Sequence, residues 1–339
     1  MIELSSPFAL RPIYSVVING VNVSSLLSPR LIKLSVVDNP GFDADIAQLT
    51  IDDSDGLFAV PNLKAEMTVS LGYNHTGLVN KGRFIIDSVE FVGPPDRVII
   101  SGKSADFKQK FSEKRNESYI EKTIDEIVAK IAERHGYEYR VAESLKEIKI
   151  PSLVQKDESD ANLLTRLARE YDAVGTIKMG KLLFLKAGAG QNASGEALPL
   201  ITINKKECSQ YSWQHNERDA YTGVRARYVS EKTGKRIEVL AGKEERTKSI
   251  RKIYKTEESA LNAARAELER SRRGIAQFSA SLSILDMNLI SESPVQFTGF
   301  KGFINNLTDY VATKVISDIT ETGLVGKIEA SVLSYGEWE

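Results

Sequence analysis

The hydrophobic pattern of this chain changes period twice, and that change limits the folds open to it more than any other feature. Over the first hundred residues the period is two. Met67, Val69 and Leu71 fall on one side of an extended segment, and Glu66, Thr68 and Ser70 on the other, as a half-buried strand requires. Strand candidates lie at 14–18, 31–37, 47–51, 65–72, 82–91 and 97–101. Turn-rich pieces separate them, such as Asp52-Asp53-Ser54-Asp55-Gly56 and Gly93-Pro94-Pro95-Asp96. Many short strands joined by turns favour a small barrel or sandwich, so residues 1–103 are expected to form a first β-barrel domain.

Beyond residue 103 the period becomes helical. Ile120, Ile124, Ile127, Val128 and Ile131 recur every three to four residues. Ser118 stands three before Glu121 as a capping box, and Gly136 supplies a stop. A second helix is expected over 159–171, with Leu163, Leu164, Leu167, Ala168 and Tyr171 as its apolar stripe and Asp157 or Ser159 as its cap. Short strands over Gly175 to Met179 and over 182–185, joined by Gly180-Lys181, complete an α+β domain spanning 104–198. Its last eleven residues, from Gly188-Ala189-Gly190 through Asn192, are rich in Gly, Ala, Asn and Ser and read as a connector.

The period of two then returns. Residues 223–229 and 236–240 read as a hairpin around 230–234, and Phe278, Ala280, Leu282 and Ile284 alternate with polar neighbours. Ile328, Ala330 and Val332 mark a closing strand. A third helix is expected over 257–270, capped by Thr256. Residues 199–339 are therefore expected to form a second β-barrel domain with one helix, exchanging strands with the rest. The 339 residues suit two or three domains. The fold class expected is mainly β with α+β, two small β-barrel domains flanking or interleaved with an α+β domain.

Chemistry-bearing constellations are weak. Gly188-Ala189-Gly190 lacks the spacing of a phosphate cradle. The single cysteine, Cys208, excludes an intrachain disulfide, and its separation from His215 carries no catalytic signal. His75, His135 and His215 are too scattered for a zinc site. The carboxylates at Asp52, Asp53 and Asp55 and at Asp157, Glu158 and Asp160 are accounted for by turns and caps. No cofactor and no catalytic or metal residue is expected. The amino terminus lacks a basic stretch followed by an apolar run, and no window approaches 18 apolar residues, so cytosolic synthesis without membrane insertion is expected. The sequons at Asn22, Asn74, Asn116, Asn192 and Asn306 then carry no weight.

Charge says more. The formal net charge of -1 gives no global reason to bind nucleic acid. Residues 225–273, however, hold 15 basic and 8 acidic residues, whereas 274–339 hold 3 basic and 8 acidic. Such polarity suits a surface facing DNA, a surface that steers complementary subunits together, or a solvated face that keeps a helix soluble. Only Tyr228 and Tyr254 offer stacking in the basic run, which disfavours the first.

Several segments carry a resemblance to a known family. They are Val69-Ser70-Leu71-Gly72-Tyr73; Gly82-Arg83-Phe84-Ile85-Ile86-Asp87-Ser88-Val89-Glu90; and Ile100-Ser101-Gly102-Lys103-Ser104-Ala105-Asp106. Next come the run from Gln155 to Ala168 that contains Asp160-Ala161-Asn162-Leu163-Leu164, and then Gly180-Lys181-Leu182-Leu183-Phe184. In this order, over about residues 45 to 190, the chain resembles the bacteriophage late control D proteins, hubs of contractile-tail baseplates related to the hub portion of type VI secretion spikes. The likeness continues more weakly through Ile237-Glu238-Val239 and from Ala263 to Gly274, and Tyr310 and Ser317-Asp318 stand where the family has a Trp and a His.

The resemblance implies a non-enzymatic structural subunit, assembled in the bacterial host cytoplasm into the virion tail baseplate. Three copies would form a ring joining the spike protein to the tail tube or tube-initiator protein. The ring would receive the end of the tape-measure protein and bind no specific nucleic acid. Within that reading Arg225, Arg227, Lys235 and Arg236 are the candidate assembly interface. A peptidoglycan-degrading tail enzyme is the alternative of another class, and a DNA-binding control protein is a weaker one, lacking a helix-turn-helix.

Overall fold

The computed structural model describes residues 10–104, 109–178, 180–188, 190–191, 196–215, 221–273, 275–305 and 310–332. Asp106, Met179, Ala189, Asn192, Gly274 and Asn306, singled out above, lie outside them. The first third contains β1 (Pro12–Ile18), β2 (Val21–Asn22), the short α1 (Ser24–Leu27), β3 (Leu31–Asp38), β4 (Ile46–Asp52), β5 (Glu66–Tyr73), β6 (Gly77–Val92) and β7 (Arg97–Ser104). All six strands expected from alternation are present. The middle contains β8 (Lys114–Thr123), α2 (Ile124–His135), β9 (Glu138–Val141), α3 (Glu143–Lys146), β10 (Lys149–Ser159), α4 (Asp160–Tyr171), β11 (Ala173–Lys178) and β12 (Lys181–Lys186). The last part contains β13 (Ile201–Asn204), β14 (Cys208–His215), β15 (Gly223–Val229), β16 (Arg236–Gly242), β17 (Thr247–Tyr254), α5 (Glu257–Arg273), β18 (Ala276–Leu282), β19 (Pro294–Thr298), α6 (Gly302–Asn305), β20 (Tyr310–Thr320) and β21 (Gly323–Val332).

The expectation of two small β-barrels is wrong. Closing a first barrel would require β1 to pair with β3. Instead β3 gives one edge to β4 and the other to β20, with Lys33 opposite Thr320 and Asp38 opposite Val315. The result is a 13-stranded sheet whose main path runs β14-β18-β21-β20-β3-β4-β7-β6-β5-β1-β2, with β13 and β19 branching from β20. No second barrel forms either, because β15, β16 and β17 leave the last part to make a separate three-stranded sheet, in the order β16-β15-β17. The fold is mixed α/β with several sheets, none of which closes. Strand alternation reports a buried face but not the neighbour on each edge, which is why it cannot tell an open sheet from a barrel.

Three apolar cores follow this division. One lies along the large sheet and joins Leu49, Phe84 and Ile100 of the first third to Phe278, Phe297 and Tyr310 of the last. In it Phe278 and Phe297 stand 3.9 Å apart between ring centroids, and Trp213 Nε1 donates to the Tyr310 hydroxyl at 3.0 Å. A second core packs α2 and α4 on the middle strands through Ile127, Ile131, Leu163, Leu167 and Phe184. The third packs α5 on the small sheet through Val224, Ala226, Ala260, Ala264 and Leu268.

Helix signals fared unevenly. Ser118 and Ile120 belong to β8, not to a helix. The capping box that starts α2 is Thr123 with Glu126, a turn later than Ser118 and Glu121. The apolar spacing spilled into the strand because Tyr119, not Ile120, faces inward there. Gly136 does end α2 at φ 63°, a left-handed position where a side chain is disfavoured. Ser159 caps α4, accepting from Asn162 N at 3.2 Å.

Because one core serves both ends of the chain, Leu49→Ala and Phe278→Ala are each expected to cost about 2–5 kcal/mol and to lower the midpoint of the same urea transition. Two separable transitions, each moved by only one of the substitutions, would contradict a shared core.

Candidate assembly surfaces

The four basic residues singled out by sequence all lie on the small unit of β15, β16, β17 and α5. Along β15, Val224 and Ala226 turn inward onto α5, which leaves Arg225 and Arg227 on the open face by alternation. Glu238 on β16 stands opposite Arg227 and accepts from both arginines, from Arg225 Nη1 at 2.9 Å and Arg227 Nε at 3.2 Å. These bonds, that from Arg225 foremost, hold the Glu238 carboxyl below its usual range. Arg236 opposes Val229 and so shares this face, while Lys235 closes the turn through its carbonyl, which accepts from Ser230 N at 2.9 Å. Both are exposed. The open face of the small sheet is thus mixed, with arginines bridged by one carboxylate and exposed Val229 and Ile253 beside them.

The first third meets the middle unit through Phe42, which packs on the second core with its ring centroid 5.5 Å from that of Phe111, and through charge. Lys178, on β11, reaches between Asp38 at the end of β3 (2.8 Å) and Asp45 just before β4 (2.6 Å). Ser291 donates to the same Asp38 from its backbone N–H at 3.1 Å and its hydroxyl at 2.7 Å, so three separate stretches of chain converge on one carboxylate. Burial works to raise Asp38, but Lys178 and Ser291 hold it low. Burial, with the neighbouring Asp38 charge, pushes Asp45 up to about 6.

A cavity of about 620 Å³ opens beside this cluster. Lys81 lines it and donates to the Met287 carbonyl at 2.6 Å, its pKa lowered by burial. Glu292 lines it too, with its carboxyl raised by burial. The small unit is clamped in the same manner. Arg273 donates to Asp172 at 2.9 Å, Lys186 lies 3.2 Å from that carboxylate, and Lys252 pairs with Glu170.

Sequence reasoning missed one buried cluster. Asp160 was accounted for by helix capping, yet its carboxylate is fully buried. It accepts from Arg134 through both oxygens at 3.0 Å and from Gln155 at 2.9 Å, with His135 Nε2 at 2.7 Å and Arg115 Nε at 3.4 Å. Burial favours the neutral acid, but the bonds from Gln155, His135 and Arg134 prevail and hold the carboxyl low. The signal that could have revealed it is Gln155, a polar residue two positions from Leu153 on the inward side of a strand, where an apolar residue belongs. The other polar candidates are structural. Asp52 and Asp55 tie the turn at Ser54 and Leu57, Arg30 donates to Asp55 at 2.6 Å, and Glu158 is held by Arg166 at 2.8 Å.

Among the described residues, Cys208 and His215 do not form a catalytic pair. Cys208 and His215 sit at opposite ends of β14, about 23 Å apart at the rise of a strand. Burial pushes the thiol up to about 11, so it is not poised as a nucleophile. Among the described residues no group of three or more His, Cys, Asp or Glu could hold a metal ion. No helix of the described residues is long and apolar enough to cross a membrane. What the geometry does offer is a sheet that ends in β14 on one side and in the two-residue β2 on the other. The outer side of β1 meets β2 only at Val17 and Ile18.

Comparison with known proteins gives a consistent result. The model of the family described as phage tail baseplate hub (GPD) matches residues 42–322. The probable baseplate hub protein of Escherichia phage 186 is 33% identical, with 96% of this chain and 94% of that protein covered. The probable baseplate hub protein of Escherichia phage P2 is 34% identical, with 97% and 96% covered. Among solved structures, the 43 kDa tail protein of prophage MuSo2 from Shewanella oneidensis superposes with a TM-score of 0.70 at 12% identity, over 94% of this chain and 98% of that one.

Two electrostatic outcomes are expected. Asp160→Ala strands Arg134 and Arg115 around an emptied site and should cost roughly 3–5 kcal/mol in urea unfolding. Burial, with the neighbouring Asp38 charge, pushes the Asp45 carboxyl up to about 6 from an ordinary 3.8, so the folded state holds the extra proton between these values. Stability from this group therefore rises as pH falls through 6 and levels off below 3.8, and Asp45→Asn should abolish that rise in urea midpoints measured from pH 7 to 4.

Proposed function

The chain belongs to the phage tail baseplate hub family, and from that premise we propose that three copies close into a ring holding the central spike on one side and the tail tube on the other. It is a structural subunit and not an enzyme. Like other hub proteins it is assembled in the host cytoplasm into the tail baseplate. The lumen of the ring would receive the end of the tape-measure protein.

The observation that carries the ring is the large sheet with its two unclosed ends. A long sheet edge offers unpaired backbone groups to any strand that approaches it, and soluble chains normally block such edges. The stretch Cys208–Ser212 of β14 contains neither a charge nor a proline to block it. Pairing this edge with the β1 and β2 end of the next copy is heterologous and repeats around an axis, and rotation by a third of a turn closes it. Each chain brings strands from both ends of its sequence to one continuous sheet, so each subunit of such a ring would be seated through a single sheet.

In this reading Arg225, Arg227, Lys235 and Arg236 steer neighbouring subunits together. Charges at the margin of a contact act on encounter rate and salt dependence more than on the folded chain. Reversing Lys235 and Arg236 to Glu should weaken self-association on the order of tenfold or more at low salt, equivalent to about 1.4 kcal/mol, with little change in the urea midpoint, whereas reversing Arg225 and Arg227, which Glu238 bridges, should also lower that midpoint. Sedimentation of both forms across a salt series checks this. Light scattering coupled to size exclusion tests the ring itself. A mass of three times 37.6 kDa for the chain alone, or a shift to a three-to-three complex on mixing with the spike protein of the same genome, is expected, and a monomer indifferent to that protein would overturn the proposal.

A further inference from the structure

The cavity of about 620 Å³ beside Lys178 is large for a fold whose cores are close-packed, since packing of that kind leaves few voids bigger than a water molecule. Pockets that take small molecules hold about 300–1,000 Å³ and set a few polar groups in an apolar wall. This cavity has that make-up. Val79 of β6, Leu183 and Leu185 of β12, and Leu289 in the stretch before β19 bring hydrocarbon to it from three separate parts of the chain. Most of the charged groups that reach it are already answered. Asp38 is taken by Lys178 and Ser291, and Asp45 by Lys178 and by the Asn39 N–H at 3.0 Å. Lys186 and Arg83 are paired with Asp172 and Glu66.

Glu292 is the exception. Among the described residues its carboxylate has one hydrogen bond, a long one of 3.4 Å from the Gly188 N–H to Oε2, and Oε1 has none. Its backbone sits at φ 67°, in the left-handed region that favours glycine. The chain is fixed there, because the Glu292 N–H donates to the Ala312 carbonyl at 2.7 Å and the Ser291 hydroxyl donates to Asp38 at 2.7 Å. An acidic side chain held at such an angle strains the fold, and the fold makes little use of its carboxyl in return. Burial foremost, with the charge of Asp38, raises that carboxyl, and Arg273, the cation that pulls the other way, donates to Asp172. Lys81 is better supplied, with the Met287 carbonyl at 2.6 Å and the charges of Asp38 and Asp286 close to it. Once the paired Lys186 and Arg83 are set aside, the cavity faces the carboxylates of Asp38, Asp45 and Glu292 but the ammonium groups of Lys81 and Lys178 alone.

We propose that this cavity binds a small aliphatic amine, whose ammonium donates to Glu292 and whose hydrocarbon body lies against Val79, Leu183, Leu185 and Leu289. The site belongs to a single chain and stands apart from the ring proposed above. Charge selects the sign of the ligand. One added cation balances the three carboxylates and gives Glu292 Oε1 a donor, whereas an anion would set a further negative group beside Asp38 and Glu292. The apolar wall selects an ammonium on an alkyl body over a metal ion, which needs several oxygen ligands where Glu292 offers one carboxylate. A bound amine would touch β6 of the large sheet and β12 of the middle unit together, and would thereby stabilise their joint by mass action.

The test uses the full chain with octylamine, octanol and octanoate as probes, which share a hydrocarbon body and differ in charge. Titration calorimetry at mildly alkaline pH, where carboxyls are ionised and the amine is still charged, should show octylamine binding about tenfold or more tighter than octanol, and octanoate weaker than both. Glu292→Gln should remove the preference for the amine and leave octanol binding unchanged. Glu292→Gly, at a backbone angle that glycine adopts freely, should do the same with little loss in the urea midpoint, so the test stands even if the first variant fails to fold. Octylamine should raise the urea midpoint of the unaltered chain more than that of either variant, and should add hydrogen-exchange protection over residues 287–292. Octanol or octanoate binding as tightly as octylamine, an amine affinity unchanged in the variants, or no binding of any probe at about 1 mM would each overturn the inference.

Discussion

The pairing of β3 with β20 is the contact on which the rest of the architecture depends. It brings Ser35 and Asp318 together across 283 residues of sequence, with a hydrogen bond of 2.6 Å between the Ser35 hydroxyl and the Asp318 carboxylate, and Lys33 adds an ion pair at 3.0 Å. Without it the strands of the first third would have a free β3 edge and the strands of the last third would have no sheet to join. With it, two distant stretches share one core, and everything between them must leave the sheet and return. The middle α+β unit and the small α5 unit are such excursions. Each has its own apolar core. Loop closure over such separations carries an entropic cost that grows only slowly with length, which is why inserted units of this size are tolerated.

Joints between the units combine apolar and charged contacts. Phe42 packs on the second core, and ion pairs join Lys178 to Asp38 and Asp45, Arg273 to Asp172, and Lys252 to Glu170. Directional charge pairs of this kind fix relative orientation, and their partial burial makes a lost partner costly. A cavity opens beside Lys178, and around it the joint is held by Phe42, the Lys178 ion pairs and Ser291.

The absence of reactive constellations and the presence of assembly features belong together. Asp160 with His135 and two arginines has the residue types of a catalytic centre, yet every oxygen of the carboxylate is used and the site is closed to solvent, so it braces α2 against α4. Surfaces open to a partner lie elsewhere, at the outermost described strands of the large sheet and on the arginine face of the small sheet.

Sequence by itself determined the local elements and the family. Alternation such as that of Met67, Val69 and Leu71 located the strands of the first third, and the caps at Gly136 and Ser159 located two helix ends, because each signal is carried by residues that touch within a few positions. Ordered motifs between residues 45 and 190 were enough to indicate a baseplate hub. The small-sheet arginines were legible as a charge run, but not their sharing of Glu238, which depends on the register of β15 and β16. Only the tertiary structure decided that no barrel closes and that Asp160 is a buried brace. These are facts about which strand lies beside which, fixed by long-range pairing, and a strand's own residues record the face it buries but not the partner at its edge.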